Sequence, residues 1–183
     1  MSVTIRPARD GDLEDIGRIY AEAVANTTAT FDLEPWSDEK LVEWFAAHGG
    51  RYPALVAEIA GSAESAENAG RVVGWASVSP FHPRPGWSPT VENALYVSPE
   101  AREKGVGGAL LGQLVNEARE AGHRVIVARV VEGNAASLCL HLKLGFVEVG
   151  TLEGVGRKFG RLLDVTILQK TLVTEDGEGA DGN

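Results

Sequence analysis

The sequence has little cysteine, no long apolar run and no excess of basic residues. Its 183 residues include one cysteine, Cys139, so no intrachain disulfide can form and we expect a reducing compartment. No stretch approaches the roughly 18 consecutive apolar residues that a transmembrane helix requires. Near the start, Arg6 and Arg9 interrupt the chain before any apolar segment typical of a signal peptide. These absences together predict a cytoplasmic protein.

Positive charge is scarce as well. The 17 basic residues are outnumbered by 26 acidic ones, which gives a formal net charge of −9. Because proteins that bind nucleic acids normally present a basic face, this balance argues against a nucleic-acid partner. Part of the deficit lies in residues 173–183, which contain acidic residues, no basic residue and almost no large apolar side chain. We therefore expect a disordered acidic tail over 173–183, outside a single domain of residues 1–172.

The apolar residues, 44% of the chain, alternate between strand and helix periodicities. The predicted elements are a strand at 3–6, a helix capped by Asp10 or Asp12 and ending near Asn26, a helix from Ser37, strands at 54–59, 72–78 and 90–97, a helix ending at Gly122, a strand at 124–131, a helix from Asn134 to Leu144, and strands at 146–149 and 162–172. The strand at 124–131 is apolar on both sides, so we expect it to be central and buried. Residues 61–70 are small and polar and predict an exposed hairpin loop. The order predicts an α+β fold, with one mixed, mostly antiparallel sheet flanked by helices.

A glycine cluster follows the strand at 90–97 and opens the next helix. Arg102 and Lys104 lie beside Gly105, Gly107 and Gly108. The first N–H groups of a helix have no internal partner and the helix dipole adds partial positive charge, so such a turn can hold phosphate groups. Glycines let an anion approach the backbone closely. A tight strand-to-helix connection, with glycines for packing, is the alternative explanation.

Two better-known phosphate loops do not fit this cluster. A dinucleotide fingerprint needs G-x-G-x-x-G, whereas the glycines here run G-x-G-G. A Walker loop needs a lysine directly after its last glycine, followed by serine or threonine, and no such lysine is present. The glycine spacing alone therefore predicts an anion site without identifying the anion.

Two motifs in order resemble those of the GCN5-related N-acetyltransferase (GNAT) superfamily. The first is R-x-x-G-x-G after the strand that ends at 95–99, and the second is the asparagine-capped helix of 134–146, which ends in Leu-Gly-Phe. The predicted element order is also that of the superfamily, and the resemblance covers about residues 3–172. Within the superfamily the chain resembles the phosphinothricin and methionine sulfoximine acetyltransferase group. That resemblance lies in separate blocks at 27–31, 80–86, 90–92, 134–141 and 155–164.

The resemblance implies acetyl-CoA as the co-substrate and indicates which residues hold it. The backbone of Leu95, Tyr96 and Val97 is expected to hold the pantetheine arm, with one strand N–H polarising the thioester carbonyl. Asn134 is expected to contact the arm from the other side. The predicted pyrophosphate cradle consists of Arg102, Glu103, Lys104, Gly105, Val106, Gly107 and Gly108.

Glu92 and His141 are the candidate catalytic residues. Glu92 interrupts a strand-like run, and its carboxylate could accept the proton of an ammonium group directly or through water. An exposed strand glutamate is the alternative. By the resemblance, His141 occupies the position where many superfamily members carry a tyrosine that protonates the departing thiolate. An imidazole can act as acid or base, and a purely structural histidine is the other interpretation.

The resemblance also implies an acceptor and an assembly. Arg84, in a proline-rich loop, and Arg157 and Lys158 are the candidates for binding the carboxylate of a small amino acid such as phosphinothricin or methionine sulfoximine, although each could be ordinary surface. We expect direct attack in a ternary complex, and a homodimer. Another amine acceptor (a polyamine, an aminoglycoside or a protein N-terminus) and an acyl-CoA-binding sensor without turnover are the alternatives. One cysteine and no paired histidine spacing predict no metal site.

Overall fold

The structure is a computed structural model that describes residues 2–60 and 70–172. The predicted acidic tail and nearly all of the predicted loop at 61–70 lie outside the described residues. No helix within the described part of the chain is both long and apolar enough to cross a membrane.

One sheet forms the centre of the described chain. Its strands are β1 (Val3–Pro7), β2 (Ala54–Ile59), β3 (Val72–Pro80), β4 (Thr90–Val97), β5 (Val125–Val131), β6 (Val147–Lys158) and β7 (Arg161–Thr171). They lie in the order β1-β2-β3-β4-β5-β7-β6, and every neighbouring pair is antiparallel except β4 and β5, which are parallel. The predicted α+β class, the element order and the mixed, mostly antiparallel sheet are confirmed.

The helices cover both faces of the sheet. They are α1 (Leu13–Asn26), α2 (Asp38–Ala46), α3 (Val106–Glu120) and α4 (Ala135–Lys143). Successive strand side chains point to opposite faces, so Leu55 packs with the α3 side while Val56 packs with the α1 side. Leu110, Leu111 and Leu114 of α3 are fully buried in the first of these clusters.

The helix starts follow the predicted caps in two cases and differ in one. Ser37 accepts from the backbone N–H of Lys40, and Asn134 accepts from that of Ser137, as N-caps do. Asp12 precedes α1, but its carboxylate makes no capping bond to that helix. It accepts instead from the Arg6 guanidinium at 2.7 and 2.8 Å and from the Arg9 backbone N–H at 2.7 Å. Asp12 therefore occupies the predicted N-cap position of α1 without bonding the helix through its side chain, because its carboxylate ties β1 to the turn before the helix.

The predicted end of β6 is wrong. The sequence placed this strand at 146–149, whereas it runs from Val147 to Lys158 at the edge of the sheet. Its pairing with β7 is irregular between Glu148 and Gly150 and again between Leu152 and Gly156. Glycines that signal turns lie at these irregularities, where β6 accommodates one extra residue at the first and two at the second without ending.

Candidate active site

A cavity of about 480 Å³ lies where β4 and β5 separate. The two strands pair only from Thr90 to Glu92 on β4, although β3 pairs with β4 as far as Val97. The backbone of β4 beyond Glu92 is therefore not paired by β5 and can bond an extended ligand. Side chains from β4, β5, α4, the loop at 29–31 and the β6–β7 hairpin line the cavity.

The predicted pantetheine-binding residues lie along this separation. Leu95 and Tyr96 line the cavity. Val97 is the next residue of β4 and does not line it; its carbonyl accepts from Arg102 Nε at 3.1 Å. The Tyr96 ring packs against Trp75, with ring centroids 4.8 Å apart, and burial raises the pKa of its hydroxyl to about 12. The side chain thus anchors the strand, while the strand's backbone faces the cavity edge.

Glu92 lies in the cavity wall as half of an ion pair. Its two carboxylate oxygens accept from Nε and Nη2 of Arg129 on β5, at 2.5 and 2.6 Å. This bidentate geometry is the strong form of an arginine–carboxylate contact and holds the Glu92 carboxylate in one orientation. The sequence predicted Glu92 and missed Arg129. The sequence signal for Arg129 was the same as that for Glu92, a charged residue that interrupts an apolar strand. The neighbours of Arg129 on β5 are buried, whereas Arg129 itself is exposed.

His141 lies at the back of the same cavity and is 3% exposed. Its Nδ1 bonds the carbonyl oxygen of Ser137 at 2.8 Å, and since a carbonyl only accepts, Nδ1 carries the proton. Its Nε2 therefore accepts from the Asn93 side-chain amide at 3.1 Å. Burial lowers the pKa of His141, so the ring is neutral at neutral pH. In this state the single ring N–H donates to Ser137, so His141 presents no free N–H to the cavity. Asn93 is a site residue that the sequence analysis did not predict.

The buried histidines predict a loss of stability in mild acid. Burial lowers the pKa of both His141 and His48 below 6.5, so as pH falls the unfolded chain takes up protons before the folded chain does. The free energy of unfolding is therefore full above about pH 6.5 and falls below it, by at most about 1.4 kcal/mol per pH unit for each histidine. Urea unfolding between about pH 7.5 and 5.5 measures this decline.

His141→Gln should show a smaller acid decline than the wild type, because one of the two contributions is removed. His82→Gln serves as the control, since His82 belongs to the proline-rich loop outside the cavity lining. An identical acid decline in His141→Gln and wild type would contradict the lowered pKa of His141.

The predicted phosphate cradle has the backbone geometry of an anion site. Gly105 is the N-cap of α3 with φ +81°, a left-handed conformation that favours glycine, and Glu103 also has a positive φ of 61°. No side chain of residues 2–60 or 70–172 caps the helix here. The first-turn N–H groups, beginning at Val106, therefore have no capping partner and can serve a ligand.

The glycines and basic side chains of the cradle make contacts with neighbouring elements of the protein. An added Cβ at Gly107 would lie 3.2 Å from Leu140 of α4, and one at Gly108 would lie 3.7 Å from the same residue. Gly107 therefore lets α4 pack closely on the first turn of α3, whereas a Cβ at Gly108 would make only an ordinary contact with α4. Arg102 donates to Glu22 at 2.7 Å and Lys104 to the Glu100 carbonyl at 2.7 Å, so both cations are bonded to neighbouring elements.

Asn134 lies across the cavity from β4. Its Oδ1 accepts from the Ser137 N–H at 3.3 Å and so begins α4, and the residue also lines the cavity. Its side-chain N–H groups have no acceptor among the described residues. That arrangement leaves a donor for a ligand lying between β4 and α4, the place that the sequence resemblance implied for Asn134.

The three predicted acceptor-binding cations are not brought together in the cavity. Arg84 is exposed in the proline-rich loop, and Arg157 is exposed on β6; neither is among the described residues that line the cavity. Lys158 is 3% exposed, and its Nζ donates to the Thr30 carbonyl at 2.8 Å. Burial lowers the pKa of Lys158. In this chain Lys158 fastens the loop at 27–31 to the β6–β7 hairpin, and the binding roles of all three remain predictions.

The same loop brings Phe31 against Gly156. An added Cβ at Gly156 would lie 2.1 Å from the nearest ring carbon of Phe31, so the ring fills the space that any side chain there would need. Thr28 reinforces the loop by donating to the Glu132 carbonyl at 2.8 Å. Phe31 is thereby held in the cavity wall opposite β4.

The described residues contain neither a metal-binding cluster nor a cysteine–histidine catalytic pair. No group of three or more His, Cys, Asp or Glu residues there could hold a metal ion. Cys139 is exposed on α4, whereas His141 of the same helix is buried, so the two do not form a nucleophile–base pair.

The comparisons with known proteins agree on one family. Residues 19–146 match the sequence profile of the Acetyltransferase (GNAT) family. The chain is 43% identical over 173 residues to the L-methionine sulfoximine/L-methionine sulfone acetyltransferase of Pseudomonas paraeruginosa, covering 94% of this chain and 96% of that protein.

Solved structures give the same answer. A GNAT superfamily phosphinothricin acetyltransferase from Sinorhizobium meliloti, in complex with AcCoA, matches with a TM-score of 0.85 and 36% identity over 94% of this chain and 89% of that one. A ribosomal-protein-alanine N-acetyltransferase from Brucella melitensis matches with a TM-score of 0.81 and 40% identity, covering 92% and 99%. As its two sequence motifs predicted, the chain belongs to the GNAT family of acetyltransferases.

Proposed function

We propose that the chain transfers an acetyl group from acetyl-CoA to the α-amino group of a small amino acid such as methionine sulfoximine or phosphinothricin, by direct attack in a ternary complex. The observation that carries the proposal is the cavity between β4 and β5, which presents the Glu92 carboxylate, ion-paired with Arg129, beside unpaired strand backbone. The 43% identity to a methionine sulfoximine acetyltransferase over nearly the whole chain supports the choice of acceptor.

Acetyl-CoA supplies an activated acyl carbon as a thioester, and the chain offers three surfaces to hold it. The backbone of Leu95–Val97 can bond the pantetheine arm, and an N–H from this strand can stabilise the oxyanion that develops on the thioester oxygen. The amides of residues 103–108 at the start of α3 suit the pyrophosphate. Asn134 supplies side-chain N–H donors from the α4 side.

The acceptor's ammonium must lose a proton before its nitrogen can attack. Glu92 is the acidic side chain of the described cavity lining and is oriented by Arg129, so we assign it the role of accepting that proton directly or through one water. The new C–N bond then forms and the C–S bond breaks; the second proton that the nitrogen releases balances the one that the thiolate takes up, and Glu92 returns the first proton to water.

His141 suits a supporting role in this scheme. Its proton is directed to the Ser137 carbonyl and its free lone pair to Asn93, so in this tautomer it offers the cavity no proton. We propose that neutral His141 fixes Asn93, and with it the part of β4 next to Glu92.

Phe31 sets one wall of the acceptor side, which gives a prediction for Gly156→Ala. The new methyl group would displace the Phe31 ring, since the two would lie about 2.1 Å apart. We expect the KM of the acceptor to rise about tenfold, in line with the usual cost of overpacking, while acetyl-CoA affinity stays within about twofold of wild type. Steady-state kinetics with each substrate varied in turn measures both.

Gly150→Ala is the matched control for that variant. Gly150 lies on the same strand, and an added Cβ there meets nothing within 4 Å. An acceptor KM that is unchanged in Gly156→Ala would show that Phe31 does not shape the acceptor site.

A second acceptor class has an observation in its favour. The match to a ribosomal-protein-alanine N-acetyltransferase at 40% identity keeps a protein N-terminus open as the acceptor. For a polyamine or an aminoglycoside as acceptor, the one supporting observation is the net charge of −9, which can attract a cation. A sensor without turnover is disfavoured by the paired Glu92 in the cavity, since binding alone requires no base.

We also propose a homodimer formed through the β6 edge. Val147, Val149, Leu152 and Val155 are each about half exposed or more on this outer strand, and Phe159 and Leu162 continue the apolar surface around the hairpin. An exposed apolar edge strand is suited to pairing with another chain. Because Leu152 and Val155 also line the cavity, a partner on this edge would lie next to the acceptor site.

The setting of the enzyme follows from charge and cysteine content. We propose a cytoplasmic location, consistent with the single exposed Cys139, and no nucleic-acid or membrane partner, consistent with a net charge of −9. We further propose that residues 1–172 form the catalytic domain and that the acidic residues 173–183 lie outside it.

Release of free thiol from acetyl-CoA, measured against a panel of acceptors, tests the proposed function. Turnover with methionine sulfoximine or phosphinothricin, but not with spermine, an aminoglycoside or an alanine-terminal peptide, is the expected result. Preferred turnover of the peptide or of a polyamine would move the acceptor to that class. Binding of acetyl-CoA without turnover of any acceptor would favour the sensor.

A further inference from the structure

Arg129 is the one cationic side chain among the described residues that line the cavity. It rises from β5, facing Glu92 of β4, and 57% of its side chain is exposed. The cations that the sequence suggested for the acceptor, Arg84 and Arg157, lie outside the lining of this cavity, and Lys158 is engaged by the Thr30 carbonyl. A carboxylate entering this cavity therefore meets Arg129 as its nearest source of positive charge.

The Arg129 guanidinium has donors to spare. It carries five N–H bonds, and the contact with Glu92 uses one on Nε and one on Nη2. No other acceptor for Arg129 is found among the described residues. The N–H groups of Nη1 can therefore donate to a second carboxylate while the first contact persists, because a guanidinium can bridge two anions.

The charges of this pair complement those of an α-amino acid. Glu92 and Arg129 place a negative and a positive group side by side, and a zwitterionic α-amino acid carries its ammonium and its carboxylate on the same α-carbon. Laid alongside in the opposite sense, the ammonium faces Glu92 and the carboxylate faces Arg129. This arrangement delivers the nitrogen to the group that removes its proton, which is the positioning that acetyl transfer needs.

We propose that Arg129 binds the α-carboxylate of the acceptor and thereby selects free amino acids over amines that lack a carboxylate. The inference rests on the proposed function, since it assigns the acceptor side of that same site. A polyamine or an aminoglycoside brings only positive charge toward Arg129 and gains no bond from it. A peptide N-terminus carries an amide where the free amino acid has its carboxylate, so it forfeits the charge-assisted bond.

The test compares methionine sulfoximine with its α-carboxamide at saturating acetyl-CoA, in the wild type and in Arg129→Gln. The wild type should prefer the acid. In Arg129→Gln the KM of the acid should rise about tenfold to hundredfold, the range expected for losing a hydrogen bond to a charged group, while the KM of the carboxamide stays within about threefold. The acid-over-amide preference should therefore largely disappear.

Measuring KM and kcat separately distinguishes binding of the acceptor carboxylate by Arg129 from orientation of Glu92 by Arg129. If Arg129 only orients Glu92, kcat falls equally for acid and carboxamide and the preference is kept, which would overturn the proposal. An unchanged acid KM would overturn it as well. Wild-type protein that acetylates neither compound would instead contradict the proposed function itself, and the two failures are thus distinguishable.

Two further variants complete the design. Arg161→Gln removes an exposed arginine from its ion pair with Glu132, outside the cavity lining, and should leave the preference intact. Arg129→Lys keeps the charge and loses the planar fork, so the KM of the acid should rise less than in Arg129→Gln. If Arg129→Gln does not fold, the same acid–carboxamide comparison is made in Arg129→Lys, where a full retention of the acid KM contradicts the proposed binding of the carboxylate by the Arg129 guanidinium.

Discussion

Glu92→Gln should lower kcat by about 10²–10⁴, the usual contribution of general base catalysis, while acetyl-CoA binds as in the wild type. The amide keeps the size of the side chain and can still bond Arg129 through its oxygen, but it cannot take a proton from the acceptor. The affinity for acetyl-CoA should persist because the cradle at the start of α3 and the unpaired backbone of β4 are unchanged. Steady-state thiol release over a range of pH, with acetyl-CoA binding measured by calorimetry, checks both statements.

Glu120→Gln is the control for that variant. Glu120 ends α3 and is exposed, so it undergoes the same change of charge away from the cavity and should retain wild-type kcat. A Glu92→Gln enzyme with the wild-type rate across the pH range would remove Glu92 from the role of base and leave its bond to Arg129 as a purely structural contact.

Gly107→Val should raise the Kd for acetyl-CoA about hundredfold. A Cβ at this position already lies 3.2 Å from Leu140, so the branched side chain forces α4 away from the first turn of α3. Overpacking of this kind costs about 1–3 kcal/mol, and here the displaced elements are the two that flank the predicted phosphate and pantetheine surfaces. Calorimetric titration with acetyl-CoA gives the affinity directly.

The double variant Gly107→Val with Leu140→Ala shows where the valine acts. Truncating Leu140 makes room for the valine, so affinity should recover if the clash with α4 is the cause. Gly112→Val is the matched control, because a Cβ at Gly112 of the same helix meets nothing within 4 Å. Normal acetyl-CoA binding by Gly107→Val would mean that the cradle is misplaced, and failure of the double variant to recover would mean that the valine blocks the phosphate itself.

Much of the fold was predictable because its signals are local. Ser37 and Asn134 begin helices through their own side chains, and the apolar stripe of α3 has the period of a helix with one buried face. The glycine turn before α3 was recognisable for the same reason, since a positive φ at Gly105 is a requirement of a few neighbouring residues.

The features that were missed depend on contacts between distant segments. β6 continues past its glycines because β7 pairs with it on the far side of two irregularities, and no local pattern contains that partner. The sequence suggests that Asp12 caps α1, yet its carboxylate accepts hydrogen bonds from the Arg6 guanidinium of β1. Lys158 is predicted from the sequence to bind the acceptor carboxylate, whereas the structure bonds its Nζ to the carbonyl of Thr30, more than a hundred residues earlier in the chain.

The candidate site shows the same division. Glu92 and His141 were predictable from a charged residue in a strand and from a motif. Their partners Arg129 and Asn93 were not, because each belongs to another element that the sheet and α4 bring within hydrogen-bonding distance. The chemistry of an ion pair is visible only once both strands are in register, so the sequence could suggest a base without its counter-ion.

One measurement tests the central claim, that the acceptor and the thioester meet in the cavity between β4 and β5 and react directly. Stoichiometric enzyme is mixed with acetyl-labelled acetyl-CoA, first alone and then with methionine sulfoximine, and the label is located by mass spectrometry. Direct attack should give no covalently labelled protein before the acceptor is added, and label on the α-nitrogen of the amino acid afterwards. A labelled protein intermediate, or label that never reaches the amino acid, would contradict it.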